Sequence, residues 1–244
     1  MERMTDSGDN SAIDKQLFPA EINVGVATAQ RRQTAVGEVN SLVPKALLEA
    51  AGASQLYHPN VELFRQDALA KDIFLVETGL IKVSRIEKNG REVIVDLRHP
   101  GFLLGVSSAI LDQPHAVSAL TLTDCHVRRI PASIFHQLLQ SDLLVSQYVH
   151  RMHSREMLDK ISHIAQLSCL TARERLILLL RRLVSVSVEN ESSLGVKIHL
   201  PLKHWELAQL VAVTPEHLSR LLKRMEQKGI LRQEKNWLFL TFPE

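Results

Sequence analysis

Apolar residues change their spacing several times along the chain, and each change marks a different element. Leu42, Val43, Ala46, Leu47 and Ala50 recur at helical intervals, with Pro44 in a first turn where a missing amide is tolerated. They predict a short helix from Ser41. Between Ser54 and about Ile130 the runs shorten: Gln55 to Tyr57, Val61 to Phe64, Ile73 to Glu77, Leu80 to Ile86, Glu92 to Leu97, Val117 to Thr121 and Cys125 to Ile130. Turn residues separate them, and each is predicted as a strand. In Glu87-Lys88-Asn89-Gly90-Arg91 the Asn-Gly pair supplies the left-handed residues of a tight hairpin. Many short strands at this spacing indicate a barrel or sandwich.

Beyond Pro131 the period becomes helical again, first from Ala132 to Gln140 and then from Asp142 to about Leu167, roughly seven turns. The long helix carries two apolar stripes, Val145, Val149 and Met152, then Met157, Ile161 and Ile164. A polar gap from His153 to Glu156 separates them, so no unbroken coiled-coil heptad runs through it. Thr171-Ala172-Arg173-Glu174 is a capping box that opens a new helix, which makes Ser168 to Leu170 a hinge. A strand from Ile198 to Pro201 precedes a helix from Lys203 to Val211, where small Ala208 leaves room for a second helix to approach. That second helix is sharply marked: Thr214 is its N-cap, Pro215 occupies the first helical position, Glu216 complements the dipole and Gly229 terminates it. Leu218, Leu221, Leu222 and Met225 form its inward stripe. Ile230 to Gln233 and Trp237 to Leu240, joined by Glu234-Lys235-Asn236, predict a small hairpin. Helix, turn, helix and hairpin in this order describe a winged helix-turn-helix.

Composition sharpens the division. Of 244 residues, 45% are hydrophobic and 23% charged, the balance of a chain able to bury a core, and the length suits two domains. Residues 1–40 lack a sustained period and read as a mobile leader. Residues 1–170 carry 17 Lys and Arg against 19 Asp and Glu, whereas residues 171–244 carry 12 against 8. The smaller part is therefore the one suited to a polyanion. Cys125 and Cys169 have neither disulfide-framework nor zinc spacing, and no apolar stretch has the length of a membrane span or signal segment. Together these features point to the cytoplasm, with no membrane partner.

On the second helix Glu216, His217, Ser219, Arg220, Lys223, Arg224 and Gln227 face outward or flank the apolar stripe. Arginine offers a bidentate pair to guanine O6 and N7, glutamate accepts from cytosine N4, and serine contacts a base edge or a thymine methyl. Lysine and arginine further along suit phosphates. The expected double-stranded DNA interface is Thr214, Pro215, Glu216, His217, Ser219, Arg220, Lys223 and Arg224.

Across roughly residues 41 to 242 the sequence resembles the CRP-FNR superfamily of bacterial transcription regulators. The C-terminal match runs through Leu200-Pro201-Leu202, Glu206-Leu207-Ala208, the stretch from Val213 to Leu222, and Lys228-Gly229-Ile230-Leu231. Glu216, Ser219 and Arg220 reproduce the E-x-x-S-R pattern of the FNR-like branch. The N-terminal match runs through Thr78-Gly79-Leu80-Ile81-Lys82, Asn89-Gly90-Arg91-Glu92 and the stretch from His99 to Gly105. The resemblance implies an α+β chain: a leader at 1–40, a cyclic-nucleotide-type β-roll (a jelly-roll barrel) at 41–135, a linking and dimerisation helix at 136–167, and the winged helix-turn-helix at 168–244. It further implies a homodimer that reads a palindrome of TTGAT-like half-sites and recruits or blocks RNA polymerase. One departure stands at the helix-turn-helix corner, where the family usually has glycine and this chain has Ala212, strained by about 1 kcal/mol if left-handed.

The resemblance does not extend to the family's sensors. Members that bind cyclic AMP place a glutamate and an arginine where this chain has Val106 and Val117, and valine offers a phosphate neither charge nor donor. Two cysteines fall short of the four ligands of an iron-sulfur cluster. No cofactor is expected; haem held by some histidine remains the alternative, with a small-molecule or gas sensor in the roll as the corresponding function. His150 and His153 read as exposed, unpaired helix residues, and Cys169 as a small buried hydrophobe. Gly105-Val106-Ser107-Ser108-Ala109 is an incomplete G-x-S-x-G sequence attributable to roll packing. No catalytic constellation is present, so the chain is not expected to be an enzyme.

Overall fold

In the computed structural model, which describes residues 43–192, 195–234 and 237–240, the short apolar runs close into two facing sheets. The leader expected over residues 1–40 lies outside the described residues. Helix α1 (Lys45–Ala50) precedes strands β1 (Gln55–Tyr57), β2 (Glu62–Phe64), β3 (Asp72–Val76), β4 (Ile81–Ile86), β5 (Glu92–Arg98) and β6 (Leu103–Leu104). After helix α2 (Val106–Ile110) come β7 (Ser118–Thr121) and β8 (Cys125–Pro131). One sheet has the order β1-β8-β3-β6 and the other β2-β7-β4-β5, with every pair antiparallel. Phe74, Val76, Ile81, Val83, Leu104 and Val127 fill the space between them. The predicted strands recur with small shifts at their ends, while β6 and α2 are additions too short to show a period. Pro44 stands at the N-cap of α1 rather than within its first turn.

Helix α3 (Ala132–Ser141) and helix α4 (Leu143–Cys169) follow, with Asp142 accepting from the Leu144 and Val145 amides at the start of α4. The two stripes on α4 have different fates. Val145, Val149 and Met152 pack with Leu47, Ile73 and Phe135 against the roll. Met157, Ile161 and Ile164 are 68%, 57% and 64% exposed. The polar gap between them is occupied: Glu156 accepts from Arg98 on β5. Two expectations on this helix are corrected. His150 is exposed, but its Nδ1 lies 2.7 Å from the Ser146 carbonyl and so is not unpaired, and His153 is half-buried. Cys169 is exposed rather than buried, because the last turns of α4, where it lies, are exposed nearly all round.

The capping box forms as expected. The Thr171 hydroxyl accepts from the Glu174 amide at 3.3 Å, and Glu174 accepts from the Thr171 amide at 2.7 Å. It opens helix α5 (Ala172–Ser187), which leads to strands β9 (Val188–Ser192) and β10 (Gly195–His199), helices α6 (His204–Val211) and α7 (Pro215–Gln227), and strands β11 (Leu231–Glu234) and β12 (Trp237–Leu240). The wing is larger than the predicted hairpin, a four-stranded sheet of order β11-β12-β10-β9. Leu176, Leu180, Leu207, Leu218, Leu222, Leu231 and Leu238 form the core of the head, and Leu80, Leu97 and Leu122 of the roll join the same cluster. Head and roll thus share apolar packing. Among the described residues no helix is long and apolar enough to cross a membrane.

Candidate nucleic-acid interface

Helix α7 is fixed by both of its ends and by one face. The Thr214 hydroxyl accepts from the His217 amide at 3.2 Å, Pro215 follows, and Gly229 adopts a φ of 69° past the last turn. Leu218, Leu221, Leu222 and Met225 are buried, which turns Glu216, His217, Ser219, Arg220, Lys223, Arg224 and Gln227 into solvent. Thr214 and Pro215 are exposed at the same end of the helix. All eight expected interface residues therefore lie on an unobstructed surface of one helix. Arg220 stands one turn beyond Glu216, and the Glu216 carboxyl is held below its usual range by its own backbone amide and the Thr214 hydroxyl, then by Arg220 and His204. A carboxylate acceptor and a guanidinium donor are presented side by side.

Four further side chains of the head carried no signal in the sequence pattern. His204, at the start of α6, places Nε2 3.3 Å from the Ser219 hydroxyl and ties α7 to its neighbour. Arg175 of α5 donates to the carbonyls of Val211 at 2.9 Å and Ala212 at 3.4 Å, and to that of Leu170. Ala212 is left-handed, with φ 55° and ψ 53°, so this guanidinium straps the corner that lacks the usual glycine. On the wing, Lys197 lies 4.0 Å from the Trp237 ring and Arg232 lies 4.8 Å from the Phe239 ring. Antiparallel register brings Lys197, Phe239 and Arg232 abreast across β10, β12 and β11. Each pairing needs strands whose order is decided by folding.

The head is anchored to the roll by buried polar contacts. Lys82 on β4 bonds Glu206 on α6 at 2.6 Å and Glu92 on β5 at 3.0 Å, with the Lys82 and Glu206 side chains 6% and 4% exposed. Burial alone would lower the Lys82 ammonium, but hydrogen bonds to Glu206 and Glu92 carry it above its ordinary value. Strand β5 is a sheet edge, whose free amides and carbonyls need partners. The Gln209 side chain of α6 supplies two, accepting from Ile94 N at 3.1 Å and donating to the Glu92 carbonyl at 3.0 Å.

The roll interior around Gly105 is poorly matched to a cyclic nucleotide. Gly105 is left-handed, and a Cβ there would meet the Asp72 carbonyl at 3.0 Å and His115 at 3.2 Å. Val106 is buried in the cluster under α1, α3 and α4, Val117 packs against the roll core, and His115 stacks on Phe64 at 4.0 Å. From Gly105 to Ala119 no Arg or Lys occurs. These residues do not fit the phosphate and ribose of such a ligand. Among the described residues no group of three or more His, Cys, Asp or Glu could hold a metal ion.

A β-roll, the long helix α4 and a helix-turn-helix head that presents α7 outward have the build of a DNA-binding transcription regulator. Comparison with known proteins agrees: residues 54–142 match the family described as cyclic nucleotide-binding domain, and residues 174–243 match the Crp-like helix-turn-helix domain. The nitrogen fixation regulation protein FixK of Azorhizobium caulinodans is 23% identical over 77% of this chain and 75% of its own length. The transcriptional activator protein FnrA of Stutzerimonas stutzeri is 28% identical over 70% of each. The structure of FixK2 from Bradyrhizobium japonicum superposes with a TM-score of 0.65 at 22% identity, covering 78% of this chain and 92% of that one. The chain is a transcription regulator of the CRP-FNR type, a class that is not enzymatic.

Proposed function

We propose that the protein acts as a homodimer that inserts two copies of α7 into successive major grooves of a palindrome with TTGAT-like half-sites. Glu216, Ser219 and Arg220 face base edges, Lys223 and Arg224 hold phosphates, and Thr214, Pro215 and His217 bring the helix N-terminus to the backbone. The observation that carries this reading is the exposure of every one of these side chains on a helix whose opposite face is sealed in the core of the head. The second stripe of α4, Met157, Ile161 and Ile164, supports the dimer: apolar residues at this spacing and exposure suit the seam of a paired helix.

The bound dimer recruits or blocks RNA polymerase in the cytoplasm. Because valine replaces both nucleotide ligands and no cation lies between Gly105 and Ala119, the roll does not answer to cyclic AMP. Selection of bound duplexes from a random pool tests the reading head, the symmetry and the half-site together. An enriched inverted repeat is expected; enrichment of single half-sites without symmetry would remove the dimer, and no enrichment would remove the sequence-reading role.

A further inference from the structure

Ser219 is the smallest side chain on the outer face of α7, and a hydroxyl on a free rotor discriminates poorly. It holds one donor and two acceptor positions and turns to suit whatever it meets. A short polar side chain becomes selective when a second contact holds it in place. Such a contact is present: Nε2 of His204, 15 positions earlier and on the neighbouring helix α6, lies 3.3 Å from the Ser219 hydroxyl. The Glu216 carboxyl, held below its usual range first by its own amide and the Thr214 hydroxyl, is favoured further by Arg220 and by His204. One imidazole of α6 thus faces two side chains that stand a single turn apart on α7. His204 is itself held. It occupies the first position of α6, behind Lys203, whose amide donates to Glu206 at 2.7 Å, and Glu206 is bonded by Lys82 of the roll at 2.6 Å. Ala208 and Val211 of α6 share the core of the head with Leu218 and Leu222 of α7, so close packing fixes the spacing of the two helices. Among the described residues Ser219 is the only hydrogen-bond partner of His204, and both are exposed. A hydrogen bond in competition with water adds little to stability, so its effect is to orient.

We propose that His204 is a positioning residue for base recognition: it occupies one hydrogen-bonding position of the Ser219 hydroxyl and stops its rotation, so that only the remaining positions meet a base. The inference deepens the proposed function and rests on it. A pinned hydroxyl satisfies one arrangement of donors and acceptors on a base edge, whereas a free one turns to donate to guanine O6 or to accept from cytosine N4. Held by His204, Ser219 selects; released, it only touches.

The test selects bound duplexes from a random pool with the full-length protein and with Ser219→Ala, His204→Leu and His204→Gln. Affinities are then measured for the enriched duplex and for copies changed at the base pair whose preference Ser219→Ala alters. His204→Leu is expected to relax preference at that same pair by about three- to tenfold, the worth of one hydrogen bond, and to leave preference at the other pairs unchanged. Glutamine carries an amide that bonds a hydroxyl, so His204→Gln should keep most of the preference. In the His204→Leu background, Ser219→Ala should cost far less at that pair than it does alone, since contacting residues are not additive. His204 is exposed, so all these variants keep the fold, which thermal unfolding checks. Unchanged preference after His204→Leu, or equal behaviour of His204→Leu and His204→Gln, overturns the proposal. So does an equal loss on all sequences, which would make His204 a phosphate contact. An enriched motif that neither Ser219→Ala nor His204→Leu alters overturns this inference alone, whereas no enrichment by the unaltered protein overturns the proposed function beneath it.

Discussion

The seam between head and roll and the outer face of α7 are both built from charged side chains, and they use charge in opposite ways. In the seam, Lys82, Glu206 and Asp96 are withdrawn from water and each is matched by partners at fixed distances. On α7, Arg220, Lys223 and Arg224 are exposed and keep their hydrogen-bonding capacity for a ligand. A buried charge without a partner is severely penalised, so seam charges fix position; an exposed charge costs little and remains available to recognise. Burial, not residue type, separates anchoring from reading.

The sharpest way to break this comparison is to unpair the seam. Glu206→Ala leaves Lys82 with Glu92 alone and removes the acceptor that caps the Lys203 amide at 2.7 Å. A loss of about 3 kcal/mol or more in urea denaturation is expected, since breaking a buried pair strands its partner. A loss below about 1 kcal/mol would show that the seam is open in solution. On the outer face of α7 the effect moves from stability to binding. Arg220→Ala should leave stability within about 0.5 kcal/mol. It should weaken specific DNA binding by about 1–3 kcal/mol and relax preference at one guanine, whereas Lys223→Ala weakens all sequences alike. Equal losses on specific and random DNA after Arg220→Ala would refute the assignment.

Acid separates the regions next. Burial raises the Asp96 carboxyl, but Arg182, Arg98 and Lys160 more than offset it, so its folded value lies below the unfolded one. Its contribution is present above the unfolded value and lost as pH falls through the folded one. Burial depresses His99, so the unfolded chain takes up a proton first, and stability declines as pH drops below about 6.5. Unfolding midpoints measured from pH 7 to pH 2 should therefore fall continuously, and Asp96→Asn should flatten the part of the curve below about pH 4. The smallest effect belongs to the corner of the head. Ala212→Gly removes left-handed strain of about 1 kcal/mol while adding unfolded-state entropy of about 0.5–1 kcal/mol. A net gain below about 0.5 kcal/mol is expected in denaturant, and a loss would show that the Arg175 strap needs the methyl group.

Helix α7 was legible because its signals are local. Thr214, Pro215 and Gly229 act within one turn of themselves, and the stripe from Leu218 to Met225 repeats along one face. The roll was legible strand by strand for the same reason, since alternation and Asn89-Gly90 mark each piece. Cys169 departs from the usual burial of cysteine because the end of α4 stands in solvent, which no residue type reveals. The polar gap on α4 was visible, but its cause was not: Glu156 reaches Arg98, 58 positions away.

By itself, then, the sequence determined the order of elements, the caps and turns that bound them, and the residues carried by the outward face of α7. These depend on neighbours within a few positions, where helical and strand periodicity constrain what a side chain meets. Only the tertiary structure decided that Lys82 lies beside Glu206, 124 positions away, that Arg175 closes the Ala212 corner, and that Asp96 gathers three cations. A buried charge selects its partner by proximity after packing, and no spacing along the chain encodes that choice.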